Sequence, residues 1–262
     1  MDLNLKNKVA VVTGGSKGIG FAIAKELVTE GSQVFITGRD SNALAEAKKE
    51  LSKLGKIQVI VGDGTKVSDI EEWGKQASLL TGKIDIWINN IGTNKAKKSE
   101  FYDEEELDFL TDTLFKSALF GTQTAVKYMK KNGGAIVNIS SLAARCATCG
   151  RSNVYASMKA ALLALTKTSA GEYASYKIRV NAVLPGYTRT PLLEKGFPKA
   201  ELDRLLAANL IGRMAEAEEI AKPVVFLASP SASYITGTSI EVSGGQNIVL
   251  NPWGSFEKHS IN

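Results

Sequence analysis

Histidine is almost missing from this chain: among 262 residues there is one, His259, close to the C-terminus, and there are two cysteines, Cys146 and Cys149. Imidazole-assisted nucleophilic catalysis needs a histidine inside a packed site, and a residue so near the chain end is a poor candidate. Ser-His-Asp and Cys-His hydrolases are therefore not expected. Two thiols with no histidine beside them fall short of a tetrahedral zinc site, so no metal is expected. They cannot build a disulfide framework either, and a reducing, cytoplasmic setting fits best. No apolar run approaches the roughly 18 residues of a bilayer-crossing helix. The opening MDLNLKNKVAVV carries no basic leader with an apolar run and cleavage site, so neither a signal peptide nor a membrane role is expected. The net charge of +5 is too diffuse to argue for nucleic acid, and the densest basic run, 95–98, is soon followed by acidic 103–106, as on a solvated surface.

The rest of the composition, 44% hydrophobic and 23% charged, is that of an ordinary folded chain. Short apolar runs alternate with longer amphipathic ones. Strands are expected over 8–13, 33–37, 57–61, 84–88, 135–140, 178–184 and 239–242, and helices over 18–30, 41–54, 67–80, 104–131, 154–174 and 217–227. Runs apolar throughout are strands buried on both faces, and βαβ alternation means a doubly wound parallel sheet of about seven strands with helices on both sides. No linker or repeat interrupts the pattern, so one α/β domain spanning 1–262 is the reading. The least regular stretch, 186–216, contains a short helical run over 199–209 and follows a strand's carboxyl end, where open α/β sheets bind ligands. It is expected to be a substrate-binding lid.

The first strand runs into Thr13-Gly14-Gly15-Ser16-Lys17-Gly18-Ile19-Gly20, and a helix follows. A glycine turn at a helix N-terminus lets backbone N–H groups approach a pyrophosphate, whose charge the helix dipole favours. Strand before and helix after make this a dinucleotide turn. The second strand ends in Gly38-Arg39-Asp40. A carboxylate placed here would hold a ribose 2′-hydroxyl, whereas an arginine fork suits a 2′-phosphate. Arg39, with Lys17 on the same side, favours NADP, unless Asp40 faces the ribose instead.

After the fifth strand come Ser140 and Ser141, and fourteen residues beyond Ser141 stands Tyr155, followed by Lys159. Positions i and i+4 share a helix face, so phenol and amine point into one cleft. A phenol with a pKa near 10 is a poor base at neutral pH, and a nearby ammonium together with the positive charge of an oxidised nicotinamide is expected to lower that value.

With these residues in order, the chain resembles the short-chain dehydrogenase/reductase family along nearly its whole length. The matching features are TGGSKGIG, Asp63 after the third strand, Asn89-Asn90-Ile91-Gly92 after the fourth, Ser140-Ser141, and the Tyr155/Lys159 pair. They continue with Ile178-Arg179-Val180-Asn181, Pro185-Gly186 with Thr188 and Thr190, Thr236-Gly237 and Gly244-Gly245. The resemblance implies a Rossmann-type fold and a catalytic trio of Ser141, Tyr155 and Lys159. Ser141 would bond the substrate oxygen, Tyr155 would exchange a proton with it, and Lys159 would bind the nicotinamide ribose. It further implies cofactor contacts from Gly14, Ser16, Lys17, Gly18, Ile19 and Gly20 at the turn and from Arg39, Asp63 and Gly64 around the adenosine. Asn90, Pro185, Gly186, Thr188 and Thr190 would surround the nicotinamide end, with Asn89 shaping the cleft. The family forms dimers or tetramers through its long helices, here 104–131 and 154–174, so a homo-oligomer, most simply a homotetramer, is expected.

Three departures stand out. The family often carries a relay asparagine eight residues before a Thr-Gln pair, which here is Thr122-Gln123, and the aligned residue is Leu114. Either Ser117 or a backbone carbonyl takes over the relay, or the enzyme is slow, or it does not turn over. Ile91 replaces a small alanine and is expected to narrow the cleft beside the nicotinamide. The Ser141–Tyr155 spacing is one residue longer than the commonest, leaving Ser140 as a rival. The Cys146-x-x-Cys149 pair sits in that loop in the wrong context for a redox motif. The function expected is an NADP-dependent carbonyl reductase, or the reverse alcohol dehydrogenase, acting on a ketone and secondary alcohol pair of a hydrophobic, alicyclic or steroid-like molecule. The alternatives are a 3-oxoacyl carrier-protein reductase docking its acidic partner on Lys127, Lys130 and Lys131, and a non-catalytic cofactor-binding regulator.

Overall fold

A computed structural model describes residues 2–79, 81–93, 101–146, 152–190, 199–246 and 248–254. Seven strands form one sheet: β1 Val9–Thr13, β2 Gln33–Gly38, β3 Ile57–Val61, β4 Ile86–Asn89, β5 Gly134–Ile139, β6 Ile178–Pro185 and β7 Ser239–Val242. Their order is β3-β2-β1-β4-β5-β6-β7, and every pairing is parallel. The order reverses direction between β1 and β4, which opens a crevice at the strands' carboxyl ends where such sheets bind ligands.

The two faces of β1 explain the continuous apolar runs. Ala10 and Val12 join a core with Ile23, Leu27, Leu44 and Val224, whereas Val9 and Val11 join a second core with Trp73, Trp87 and Met129. Alternate side chains thus enter opposite helix layers, as a strand covered on both sides requires. The first layer holds α1 Gly18–Thr29, α2 Ser41–Leu51 and the last helix, α8 Ala217–Ala228; the second holds α3 Val67–Ser78 and α5 Ser117–Met129. Three further helices are α4 Glu104–Thr111, α6 Asn153–Glu172 and α7 Lys199–Leu206.

One element departs from the sequence reading. The single helix expected over 104–131 is interrupted by a five-residue π turn, Asp112–Lys116, between α4 and α5. Leu114 is fully buried within it. π turns are rare single-turn bulges inside α-helices with no residue signature of their own, so the sequence pattern reads as one continuous helix.

Candidate active site

The glycine turn is built by close approach. Gly14 and Gly18 hold positive φ angles of 67° and 56°, a region open to glycine. A Cβ on Gly20 would collide with the Gly14 carbonyl and the Asn90 amide. That amide nitrogen donates to the carbonyls of Thr13 and Gly14, both at 3.0 Å. Asn90 N in turn donates to Thr13 Oγ1 at 3.0 Å, so the end of β4 fastens the turn after β1. Helix α1 then starts on Lys17 with no side-chain cap and no acid in its first turn. Its exposed backbone donors and positive dipole fit a pyrophosphate, the group that the dinucleotide reading requires.

At the end of β2, Asp40 is engaged elsewhere: its carboxylate accepts from Ala43 N at 3.0 Å and caps α2. Arg39 lies 4.0 Å from Asp63 and Lys17 lies 3.9 Å from Asp40, both as loose pairs in which the cation is largely exposed. Asp63 also accepts from the Thr65 amide and hydroxyl at 3.1 and 3.0 Å, which shapes the turn after β3.

Ile91 is not placed as the sequence suggests. Its side chain lies against Gly64 and Gly14, so it leans toward the turn after β3, where Trp73 also comes close to Gly64. The physical reason is the pair of glycines, which leave a space that an isoleucine fills. Gly92 faces Lys159, whose amine lies 3.9 Å from where a Cβ would stand.

Asn89 works below the crevice. Its carbonyl accepts from Trp87 Nε1 at 2.8 Å, and its amide donates to Thr122 Oγ1 at 3.0 Å, Asn138 Oδ1 at 2.8 Å and the Ala118 carbonyl at 3.2 Å. Asn138 passes the network on to Thr166 of α6 at 2.9 Å.

The two serines after β5 separate cleanly. Ser140 is buried and donates to the Lys159 carbonyl at 2.7 Å. Ser141 stands near enough to the Tyr155 phenol to pull its pKa down and accepts from Ala143 N at 3.2 Å at the start of the short turn Leu142–Ala144. The Lys159 amine donates to the Ile139 carbonyl at 2.8 Å and lies 5.9 Å from the centre of the Tyr155 ring. Ser141, Tyr155 and Lys159 therefore meet where β5 and α6 converge.

The electrostatics run against the expected acidification. Burial pushes the Tyr155 phenol above its ordinary value, with Ser141 pulling the other way. Burial also pushes the Lys159 amine down from 10.5 to about 8. An amine that is itself desolvated holds its own charge less firmly, and packing around the phenol dominates.

Around the other side, Pro185 ends β6, and a Cβ on Gly186 would run into Ser243. The Thr188 hydroxyl donates to the Gly186 carbonyl at 3.1 Å, and Thr190 lies against Gly18 of the dinucleotide turn. At the π turn, the Ser117 hydroxyl donates to the Thr113 carbonyl at 2.7 Å, so it serves its own helix rather than a relay. Among the described residues the unsatisfied group there is the buried Thr113 hydroxyl, which sequence reasoning missed because no motif marks a π turn. Leu192, Leu193, Phe197 and Cys149 lie outside the described residues. No group of histidine, cysteine or acidic residues that could hold a metal occurs among the described residues, and no helix among them is long and apolar enough to cross a membrane.

Comparison with known proteins agrees with this geometry. A family model described as enoyl-(acyl carrier protein) reductase matches residues 14–247. A 3alpha-hydroxysteroid dehydrogenase from Mediterraneibacter gnavus is 36% identical over 93% of this chain and 98% of its own. A 3-oxoacyl-(acyl-carrier-protein) reductase from Thermotoga maritima is 35% identical over 93% of this chain and 99% of its own. Among solved structures, a short-chain type dehydrogenase/reductase from Mycobacterium marinum superposes with a TM-score of 0.89 at 32% identity, covering 95% of this chain and 98% of that one. The L-sorbose reductase of Gluconobacter frateurii, solved with NADPH and L-sorbose, gives 0.87 at 30% identity, covering 95% and 100%. With the parallel seven-stranded sheet, the glycine turn and the Ser141, Tyr155 and Lys159 cluster in place, the chain belongs to the short-chain dehydrogenase/reductase family.

Proposed function

We propose that the protein is an NADP(H)-dependent oxidoreductase that interconverts a ketone and a secondary alcohol, working as a carbonyl reductase on a hydrophobic, alicyclic or steroid-like small molecule. The observation that carries this reading is the convergence of Ser141, Tyr155 and Lys159 at the end of β5, with the Lys159 amine 5.9 Å from the centre of the Tyr155 ring. Reduced nicotinamide, when bound, supplies the hydride. Ser141 orients the substrate oxygen, and Tyr155 gives its proton to that oxygen as the carbonyl becomes an alkoxide. A phenol pushed upward keeps that proton at neutral pH, which suits reduction. Lys159 holds the nicotinamide ribose and favours the phenolate once the proton has left.

NADP is supported by Arg39 and Lys17 flanking the end of β2 while Asp40 caps a helix. A 2′-phosphate would meet two loosely paired cations there. We assign 186–216 as the substrate lid within one domain. A cytoplasmic homo-oligomer built through α4 to α6 fits the small exposed residues Ser157, Ala164 and Thr168 on α6.

The carrier-protein reading is weakened by its own docking patch: Lys127 pairs with Glu71, and Lys130 lies over the Tyr176 ring at 5.3 Å. Assays with NADPH and a 3-ketosteroid, tropinone or an acetoacetyl thioester of a carrier protein separate the readings. Oxidation of NADPH by the cyclic ketones is expected. Turnover of the thioester alone would favour the carrier-protein enzyme. NADPH binding without turnover, unchanged by Tyr155→Phe, would favour a regulator.

A further inference from the structure

We infer that Tyr102 is a positioning residue for the catalytic helix, acting through Ser152 on the turn that carries Tyr155; the inference rests on the reading of Tyr155 as the proton donor. Ser152 caps α6, and its Oγ accepts from the backbone N–H of Tyr155 at 3.0 Å. That N–H belongs to the third helical residue and has no partner inside the helix, so the cap is what satisfies it. The Tyr102 hydroxyl donates into the same Oγ at 2.7 Å, from a position 50 residues earlier in the chain. Ser152 is 9% exposed, so water competes weakly for either bond.

The geometry divides α6 into two parts. From Lys159 onward the helix is fastened to β5 by Ser140 to the Lys159 carbonyl, Lys159 to the Ile139 carbonyl and Asn138 to Thr166. Tyr155 lies one turn ahead of those anchors, and its backbone is tied through the Ser152 cap. With both acceptor sites of the Ser152 oxygen filled, the hydroxyl is locked in the rotamer that faces Tyr155 N. Tyr102 also immediately precedes Asp103, whose carboxylate caps α4 by accepting from Glu106 N at 2.8 Å. Two adjacent residues therefore pin the starts of α4 and α6 together, so the turn that carries Tyr155 starts from a fixed point.

Hydrogen exchange and steady-state kinetics on the full chain test this. In Tyr102→Phe, exchange at the Tyr155 amide should quicken about three- to tenfold, the range of one ordinary hydrogen bond, while Leu162 stays protected. Assayed with NADPH and a 3-ketosteroid or tropinone, the same variant should lose kcat by a similar factor with KM for NADPH unchanged. Ser152→Ala, which removes the cap itself, should lose at least as much, the double variant should be no worse than Ser152→Ala, and Ser152→Thr should retain activity. Unchanged Tyr155 exchange in Tyr102→Phe, or losses that multiply in the double variant, would overturn the inference. If Tyr155→Phe stays active, the catalytic reading fails, and the amide exchange still decides whether Tyr102 holds the helix.

Discussion

The Lys159 amine donates to the Ile139 carbonyl at 2.8 Å, inside a packed junction where the lysine is 3% exposed. Burial there lowers its pKa from 10.5 to about 8. Below pH 8 the folded protein carries the full cost of a desolvated ammonium. Between 8 and 10.5 the unfolded chain binds more protons than the folded one, so raising the pH relieves that cost. Compared with Lys159→Met, wild-type stability should rise by about 3 kcal/mol across that window, at about 1.36 kcal/mol per pKa unit. Denaturant unfolding of both proteins at several pH values measures it, and a flat difference would show that the ammonium is well solvated.

On the proposed reading, Arg39 at the end of β2 selects the cofactor. Arg39→Asp should weaken NADPH binding by at least about tenfold more than NADH binding, since it exchanges a phosphate partner for a repelling charge. Titration with both nucleotides tests this, and equal losses would return the ribose to Asp40.

Gly20→Ala places a methyl group against the Gly14 carbonyl and the Asn90 amide. The turn must open to accept it. Affinity for NADPH should fall about tenfold or more, while Gly171→Ala, where a Cβ meets nothing within 4 Å, should leave it unchanged. Fluorescence titration of the two variants would show whether the turn is as tight as described.

The Asn89 network predicts a stability effect. Asn89→Ala strips partners from Trp87, Thr122 and Asn138, all buried. Orphaned buried groups cost about 1–3 kcal/mol each, with water entry recovering part, so a loss of about 3 kcal/mol is expected. Calorimetry should show a Tm about 6–12 °C lower at this chain length. A Tm within 2 °C of wild type would mean that the network contributes little.

Much of this was legible in the residues. The run 9–12 is apolar throughout and buried throughout, so its placement in the sheet interior followed from composition alone. The Tyr155/Lys159 spacing and the glycine turn located the crevice, because both depend on local chain geometry. What stayed hidden depends on contacts between distant segments. The direction of Ile91 is set by space at Gly14 and Gly64. The choice between Ser140 and Ser141 is set by the Lys159 carbonyl. The elevated phenol reflects packing density, which no spacing encodes. Ser152, three residues before Tyr155, does carry an N-cap signature, but nothing in the sequence points from it to Tyr102.

The central claim is that the Tyr155 hydroxyl delivers the proton to the substrate oxygen. Removing that hydroxyl alone, in Tyr155→Phe, and following NADPH oxidation in a single turnover with a cyclic ketone tests it most directly. The rate should fall by about 10²- to 10⁴-fold, the span of general acid catalysis, with NADPH affinity within about twofold of wild type. A variant that oxidises NADPH within a few-fold of the wild-type rate would contradict the account.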